Sequence, residues 1–358
     1  MTKLLASVTG PEEATIALAG GADIIDLKDP AQGALGAVAP AILSATLREI
    51  AGRRPVSAVA GDLPMQPAAV IDAVAARGQA DFVKIGLFPA PRAERLAVID
   101  ALASLAETVR LVAVFFADGD PDFGLLEALA AAGFYGAMID TMGKGGDGLL
   151  STLSLPALSR FVSRARAFNL VTGLAGSLEP PDVPRLLPLR PDYLGFRGAL
   201  TRGARGERID AAQVARLARL IAGTGDGQAA GEPPRPGPQS LDRIFVRDFV
   251  LDLDIGAYGH EHGRRQKVRF DIEAKIARID TRHDDIAEVY SYDVLIDAIR
   301  ARADAGHTDL VETLALDLCR EILSDGRVFE VSVAIAKLEL GPGAVGIEVT
   351  RRQGEMAS

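Results

Sequence analysis

Residues 1–222 repeat one pattern eight times: a short apolar run, then an Ala- and Leu-rich stretch of helical length and period. The runs cover 4–8, 23–28, 56–61, 82–87, 111–116, 136–140, 170–175 and 193–197, with segments such as 91–107 and 155–168 between them. Eight strand–helix units in about 220 residues predict an α/β chain closed as a (β/α)8 TIM-type barrel, with an open doubly wound sheet as the alternative.

The pattern then stops. Residues 223–239, GTGDGQAAGEPPRPGPQ, hold almost no large apolar side chain and read as a Gly/Pro-rich linker. From Ser240 to Ser358, segments 243–254 and 266–278 alternate like antiparallel strands around the turn-rich YGHEHG. Helical stretches 292–304 and 309–323 follow, and strands 328–337 and 345–350 close the segment. The order ββααββ predicts a second, small α+β domain. An open four-stranded sheet of this size hides its edges by assembly, so a homo-oligomer through this domain is expected.

Charge and composition narrow the function. A net charge of −9 argues against non-specific binding of nucleic acid or an anionic membrane surface. No run is long enough to span a bilayer, the first residues break at Gly10-Pro11, and the one cysteine, Cys319, fits a reducing cytoplasm. Thirty-nine basic residues include only seven lysines, so thirty-two are arginine. Arginine cannot give up its proton to act as an amine nucleophile, so lysines kept inside apolar segments stand out. Four do so: Lys28, Lys84, Lys144 and Lys337.

Working residues of a (β/α)8 barrel stand at the C-terminal ends of its strands. GGADIIDLKDP puts Asp26 and Lys28 two residues apart, on one side of the second strand. Lys84 lies in DFVKIGLF of the fourth, and Asp140 ends the sixth, with Lys144 four residues later in a glycine-rich loop. Desolvation and neighbouring cations lower a lysine's pKa and free an amine that attacks carbonyls as a Schiff base, while a nearby carboxylate moves protons. The competing interpretation is a set of Asp–Lys pairs that only fill the barrel. Gly176 and Ser177 after the seventh run, and Arg197 and Gly198 after the eighth, fall where this fold binds phosphate; ordinary turns want glycine there too.

In order along residues 3–222, GGADIIDLKDP, GALGA, GDLP, DFVKIGL, AMIDT, LAGS and GFRGA resemble the (5-formylfuran-3-yl)methyl phosphate synthase family of methanofuran biosynthesis. The resemblance implies a lyase that condenses two triose phosphates without metal or organic cofactor. It implies Lys28 as the Schiff-base lysine, Lys84 and Lys144 as assisting lysines, and Asp26 and Asp140 as acid/base carboxylates. Another class I aldolase acting on a sugar phosphate is the alternative.

In the second segment Lys337 shares a strand face with Val331, Val333 and Ile335; Tyr292 heads a helix, Glu261 sits in the turn and Glu312 near the next helix start. Bland roles compete: a capping box for Asp309 and Glu312, a solvated turn for Glu261, a core position for Tyr292 and packing for Cys319. His260, His262, His283 and His307 lack metal-site spacing and read as structural or exposed. RIFVRDFVLDLDIGAYGHEHGRRQ, VYSYDVL, DLVETLA and VAIAK before a Gly-Pro-Gly turn resemble dihydroneopterin aldolase, a tunnelling-fold-like protein, over about 240–352. That resemblance implies a pterin substrate, with Lys337 and Tyr292 in proton transfer and Glu261 and Glu312 binding the pterin. A non-catalytic module that oligomerises the barrel is the alternative.

Overall fold

The computed structural model describes residues 1–143, 148–203, 207–225, 241–258, 261–278, 289–340 and 343–355. The chain divides into two compact units, Met1–Gly225 and Asp226–Ser358.

In the first unit β1 (Lys3–Val8), β2 (Ile24–Leu27), β3 (Val56–Val59), β4 (Phe82–Gly86), β5 (Leu111–Phe116), β6 (Gly136–Asp140), β7 (Val171–Leu174) and β8 (Tyr193–Phe196) form a closed parallel barrel in chain order. Every residue of β2, β3, β5, β6 and β8 is buried. That explains continuous apolar runs: strands with a filled interior on one face and helices on the other need no polar side. The helices Pro11–Ala19, Pro40–Ile50 and Pro67–Ala75 each begin on proline, whose fixed φ suits a first turn and whose missing N–H has no partner to lose there.

Register sets the site. Ser7 of β1 is level with Asp26 of β2, and Asp26 with Ser57 of β3, so the three side chains share one height and one face. The loop after β2 folds back over the mouth, pinned by Asp62, whose carboxylate accepts from the N–H groups of Ala34 and Leu35 at 2.8 and 2.6 Å. Leu35 is thereby buried among Val59, Phe116 and Met138. Gly33 is required there: its φ is +126°, and a Cβ would stand 2.1 Å from Asp62 Oδ2.

The second unit is a four-stranded antiparallel sheet in the order β12-β11-β10-β9, from β9 (Leu241–Asp254), β10 (Arg265–Ala277), β11 (Val328–Lys337) and β12 (Val345–Arg352). Helices Asp293–Ala303 and Val311–Leu323 lie between β10 and β11 in sequence. Alternate residues of β10 and β11, among them Val268, Phe270, Ile272, Val331, Val333 and Ile335, share one core with Leu295, Leu314, Leu318 and Cys319 from the helices. Cys319 is fully buried, as packing required. One element departs from expectation: helix Ala211–Gly225 runs three residues into the stretch read as linker, because its apolar stripe (Val214, Leu217, Ile221) is seated before the glycines begin and the backbone simply continues. Among the described residues no helix is long and apolar enough to cross a membrane.

Candidate active sites

Two buried ion pairs occupy the barrel mouth. Lys84 of β4 places Nζ 2.6 Å from Asp26 Oδ2, and Lys28, the residue after β2, places Nζ 3.3 Å from Asp140 Oδ2 at the end of β6. None of the four is more than 5% exposed. The two charges of each sign cancel, which is the condition under which charges tolerate such burial. Burial pulls the Lys84 amine below the ordinary lysine range and nearby Lys28 adds to that, against the pull of Asp26.

The carboxylates differ in their other partners. Asp26 Oδ1 accepts from Ser57 Oγ at 2.5 Å, and Oδ2 accepts from Ser7 Oγ at 3.1 Å as well as from Lys84. Asp140 Oδ1 accepts from the Thr141 N–H at 2.8 Å. Lys28, Lys84, Asp26 and Asp140 line one cavity together with Gly176, Ser177 and Gly198 from the loops after β7 and β8.

Gly176 and Gly198 are glycine for different reasons. At Gly176 φ is +119°, and a Cβ would crowd Thr141 Cγ2 at 2.9 Å; Ser177 follows in the left-handed region at +49°. Gly198 has ordinary φ, and a Cβ there would meet nothing within 4 Å. Packing therefore does not demand a glycine at 198.

Arg197 is among the residues lining the cavity, and its guanidinium is buried against Glu13, donating from Nη1 at 2.6 Å and Nη2 at 3.2 Å, and to the carbonyls of Ser7 and Glu207. Glu13 also accepts from Thr9 N, Thr9 Oγ1 and Ile209 N. A fork-shaped donor meeting a buried carboxylate two-to-two is a stronger match than a solvated anion, so Arg197 braces the loop after β8. Lys144 lies outside the described residues.

In the second unit Lys337 ends β11 on the buried face and donates to Glu261 Oε1 at 2.7 Å. The same carboxylate accepts from Gln266 Nε2 at 2.9 Å and the Tyr258 N–H at 3.1 Å. Lys337, then these donors, hold the Glu261 carboxyl down to about 2. Glu261 is thus a buried partner of Lys337 rather than a solvated turn residue. Tyr292 and Glu312 are exposed. No capping box forms at Asp309 and Glu312, because the helix starts one residue later, with Leu310 at its N-cap. Asp309 instead accepts from His307, whose ring also bonds Asp254 at 2.6 Å and the Gly256 carbonyl, and His262 stacks on His307 at 4.1 Å. His262, His307 and Asp309 bring ligand-type atoms within 4.8 Å of one another, a grouping their sequence spacing did not reveal. Those hydrogen bonds all run through His307, which ties Asp309 to Asp254 and the Gly256 carbonyl. His260 and His283 lie outside the described residues.

Sequence reading passed over Ser7, Ser57, Glu13 and Gln266. The signal was present for three of them: Ser7 and Ser57 are polar residues inside otherwise buried runs of β1 and β3, and Gln266 falls on the buried, otherwise apolar face of β10.

The 4-HFC-P synthase family model matches residues 4–218, and the dihydroneopterin aldolase model matches residues 244–350. A protein of Methylorubrum extorquens provisionally given the name (5-formylfuran-3-yl)methyl phosphate synthase is 47% identical over 61% of this chain and 91% of its own. The (5-formylfuran-3-yl)methyl phosphate synthases of Methanosarcina mazei and Methanocaldococcus jannaschii are 34% and 36% identical, over 60% and 61% of this chain and 97% and 98% of theirs. Among solved structures, dihydroneopterin aldolase from Burkholderia thailendensis bound to guanine is 26% identical, with TM-score 0.30, over 33% of this chain and 96% of its own. With its barrel matched from end to end and relatives aligned over nearly their whole length, the chain belongs to the 4-HFC-P synthase family and carries a dihydroneopterin aldolase-like domain behind the barrel.

Proposed function

We propose that the barrel condenses two molecules of glyceraldehyde 3-phosphate into (5-formylfuran-3-yl)methyl phosphate, releasing one phosphate and two waters. The observation that carries this is the Lys28–Asp140 pair lining one cavity with Gly176, Ser177 and Gly198. Lys28 passes a proton to Asp140, 3.3 Å away, and its free amine attacks an aldehyde carbon. Asp140 returns the proton as the carbinolamine loses water, leaving a Schiff base whose adjacent carbon is acidified for attack on the second triose. Lys84 and Lys144 assist. The backbone around Gly176, Ser177 and Gly198 holds the phosphate, and Arg197 keeps the β8 loop in place. Borohydride reduction with glyceraldehyde 3-phosphate should add the triose mass to Lys28, and substrate alone should yield a furan absorbance. A second reading makes Lys84 the attacking amine, since burial lowers its pKa; an adduct that persists in Lys28→Arg and vanishes in Lys84→Arg would establish it.

For the second domain we propose retro-aldol cleavage of 7,8-dihydroneopterin or a related pterin to release glycolaldehyde. The buried Lys337–Glu261 pair supports this, as a lysine whose ammonium is oriented for proton transfer. Exposed Glu312 is left to accept from the amino-amide edge of the pterin, and exposed Tyr292 to exchange a proton. Glycolaldehyde release by the wild type and its loss in Lys337→Ala test the reading.

A further inference from the structure

Asp26 is not placed like a group that trades protons with a substrate. It is fully buried, and both oxygens are taken, Oδ1 by Ser57 and Oδ2 by Ser7 and Lys84. The hydroxyls come from the strands on either side of β2, at the level of Asp26 itself. Both are buried, at 3% and 2% exposure, and serine has no packing advantage over alanine inside an apolar strand. Asp140 lines the same cavity as Asp26 but holds the looser ion pair, 3.3 Å against 2.6 Å. The two carboxylates therefore have different work.

We propose that Ser57, with Ser7, is a positioning residue for Lys84, acting through Asp26. Two hydroxyl donors lock the carboxylate's rotation; the locked carboxylate then fixes where the Lys84 ammonium points. The logic is that of an orienting carboxylate behind a working base, with lysine in place of histidine. The inference rests on the reading that Lys84 assists the condensation. Among the described residues, the charged groups acting on Lys84 are Asp26 and Lys28 from β2 and the residue beyond it, and Asp140 from β6. Removing the Ser57 hydroxyl leaves the Asp26 carboxylate free to turn out of its contact with the ammonium, which then gives up its proton at lower pH.

Two measurements on the full chain decide it. In the substrate-free protein, NMR of labelled lysine follows the Lys84 amine, whose midpoint falls in Ser57→Ala and returns in Ser57→Thr, which keeps the hydroxyl. In turnover, Ser57→Ala lowers kcat by roughly 10-fold or more, as loss of a bond to a charged group does; KM stays within about twofold, and the basic limb of the kcat profile shifts to lower pH. Circular dichroism checks the fold, and should Ser57→Ala not fold, Ser7→Ala is read in the same way. Equal Lys84 midpoints in wild type and variant overturn the proposal whatever turnover does. Absence of furan from the wild type overturns the condensation reading alone, because the midpoint comparison needs no substrate.

Discussion

Glu13 is the residue on which Arg197 depends. Replace it with alanine and a guanidinium stays buried among carbonyls without its counter-charge. Loss of one partner of a buried pair costs about 3–5 kcal/mol, so Glu13→Ala should lose that much in denaturant unfolding. A loss under about 1 kcal/mol would show that Arg197 finds water or another acceptor. The pair also marks where sequence reading ends. Lys28, Lys84, Asp26 and Asp140 were legible because charges at buried strand positions contradict their surroundings. Their pairing was not, since Lys28 meets a carboxylate 112 residues away and not Asp26 two residues before it. The partner of Arg197 was hidden for the same reason: it lies 184 residues away on the first helix, and no local pattern announces it.

Elements show the same division. Strand order and the ββααββ pattern were readable from periodicity, whereas the turns at the barrel mouth were not, because glycine serves several ends. Gly176 and Gly198 separate these ends by experiment. Gly176→Ala forces a side chain into left-handed backbone against Thr141 and should cost about 1–3 kcal/mol. Gly198→Ala should leave unfolding within about 0.5 kcal/mol of wild type yet raise KM for the triose phosphate. If both variants keep KM, the loops after β7 and β8 are not the phosphate site. At the end of β11, Glu261 supplies a pH signature. Its folded carboxyl titrates near 2 against an ordinary 4.5. The stability it contributes is complete above 4.5 and disappears as pH falls toward 2. NMR titration should place the midpoint near 2 in the wild type, and Lys337→Met should move it into or above the ordinary range. A midpoint that ignores Lys337 would dissolve the pair as the organising feature of that site.

At the scale of the whole molecule, β9 and β12 pair with no further strand on their outer edges among the described residues, and β9 exposes Phe245 and Val250. Unpaired edges of this length invite pairing with another copy. Light scattering should report an oligomer of the full chain, and of Lys337→Ala too, since that variant removes chemistry and not an edge. A monomer at working concentration would mean that the edges are covered otherwise.

The barrel's ion pairs carry a consequence for how its reactivity arises during folding. Ser7, Asp26, Ser57 and Lys84 all belong to β1–β4, so a nascent first half holds that chain of contacts within itself. Lys28 is different: its partner Asp140 comes from β6, across the ring. A chain that has made four strands has the lysine but not the carboxylate that tunes it. Under the Schiff-base role proposed above, a newly made half-barrel therefore lacks the carboxylate that takes the Lys28 proton, and the complete pair exists only once the ring closes. Covalent trapping of a triose phosphate would then serve as a clock for the last step of assembly, and a pair of complementary half-barrel fragments would stay inert until they found each other.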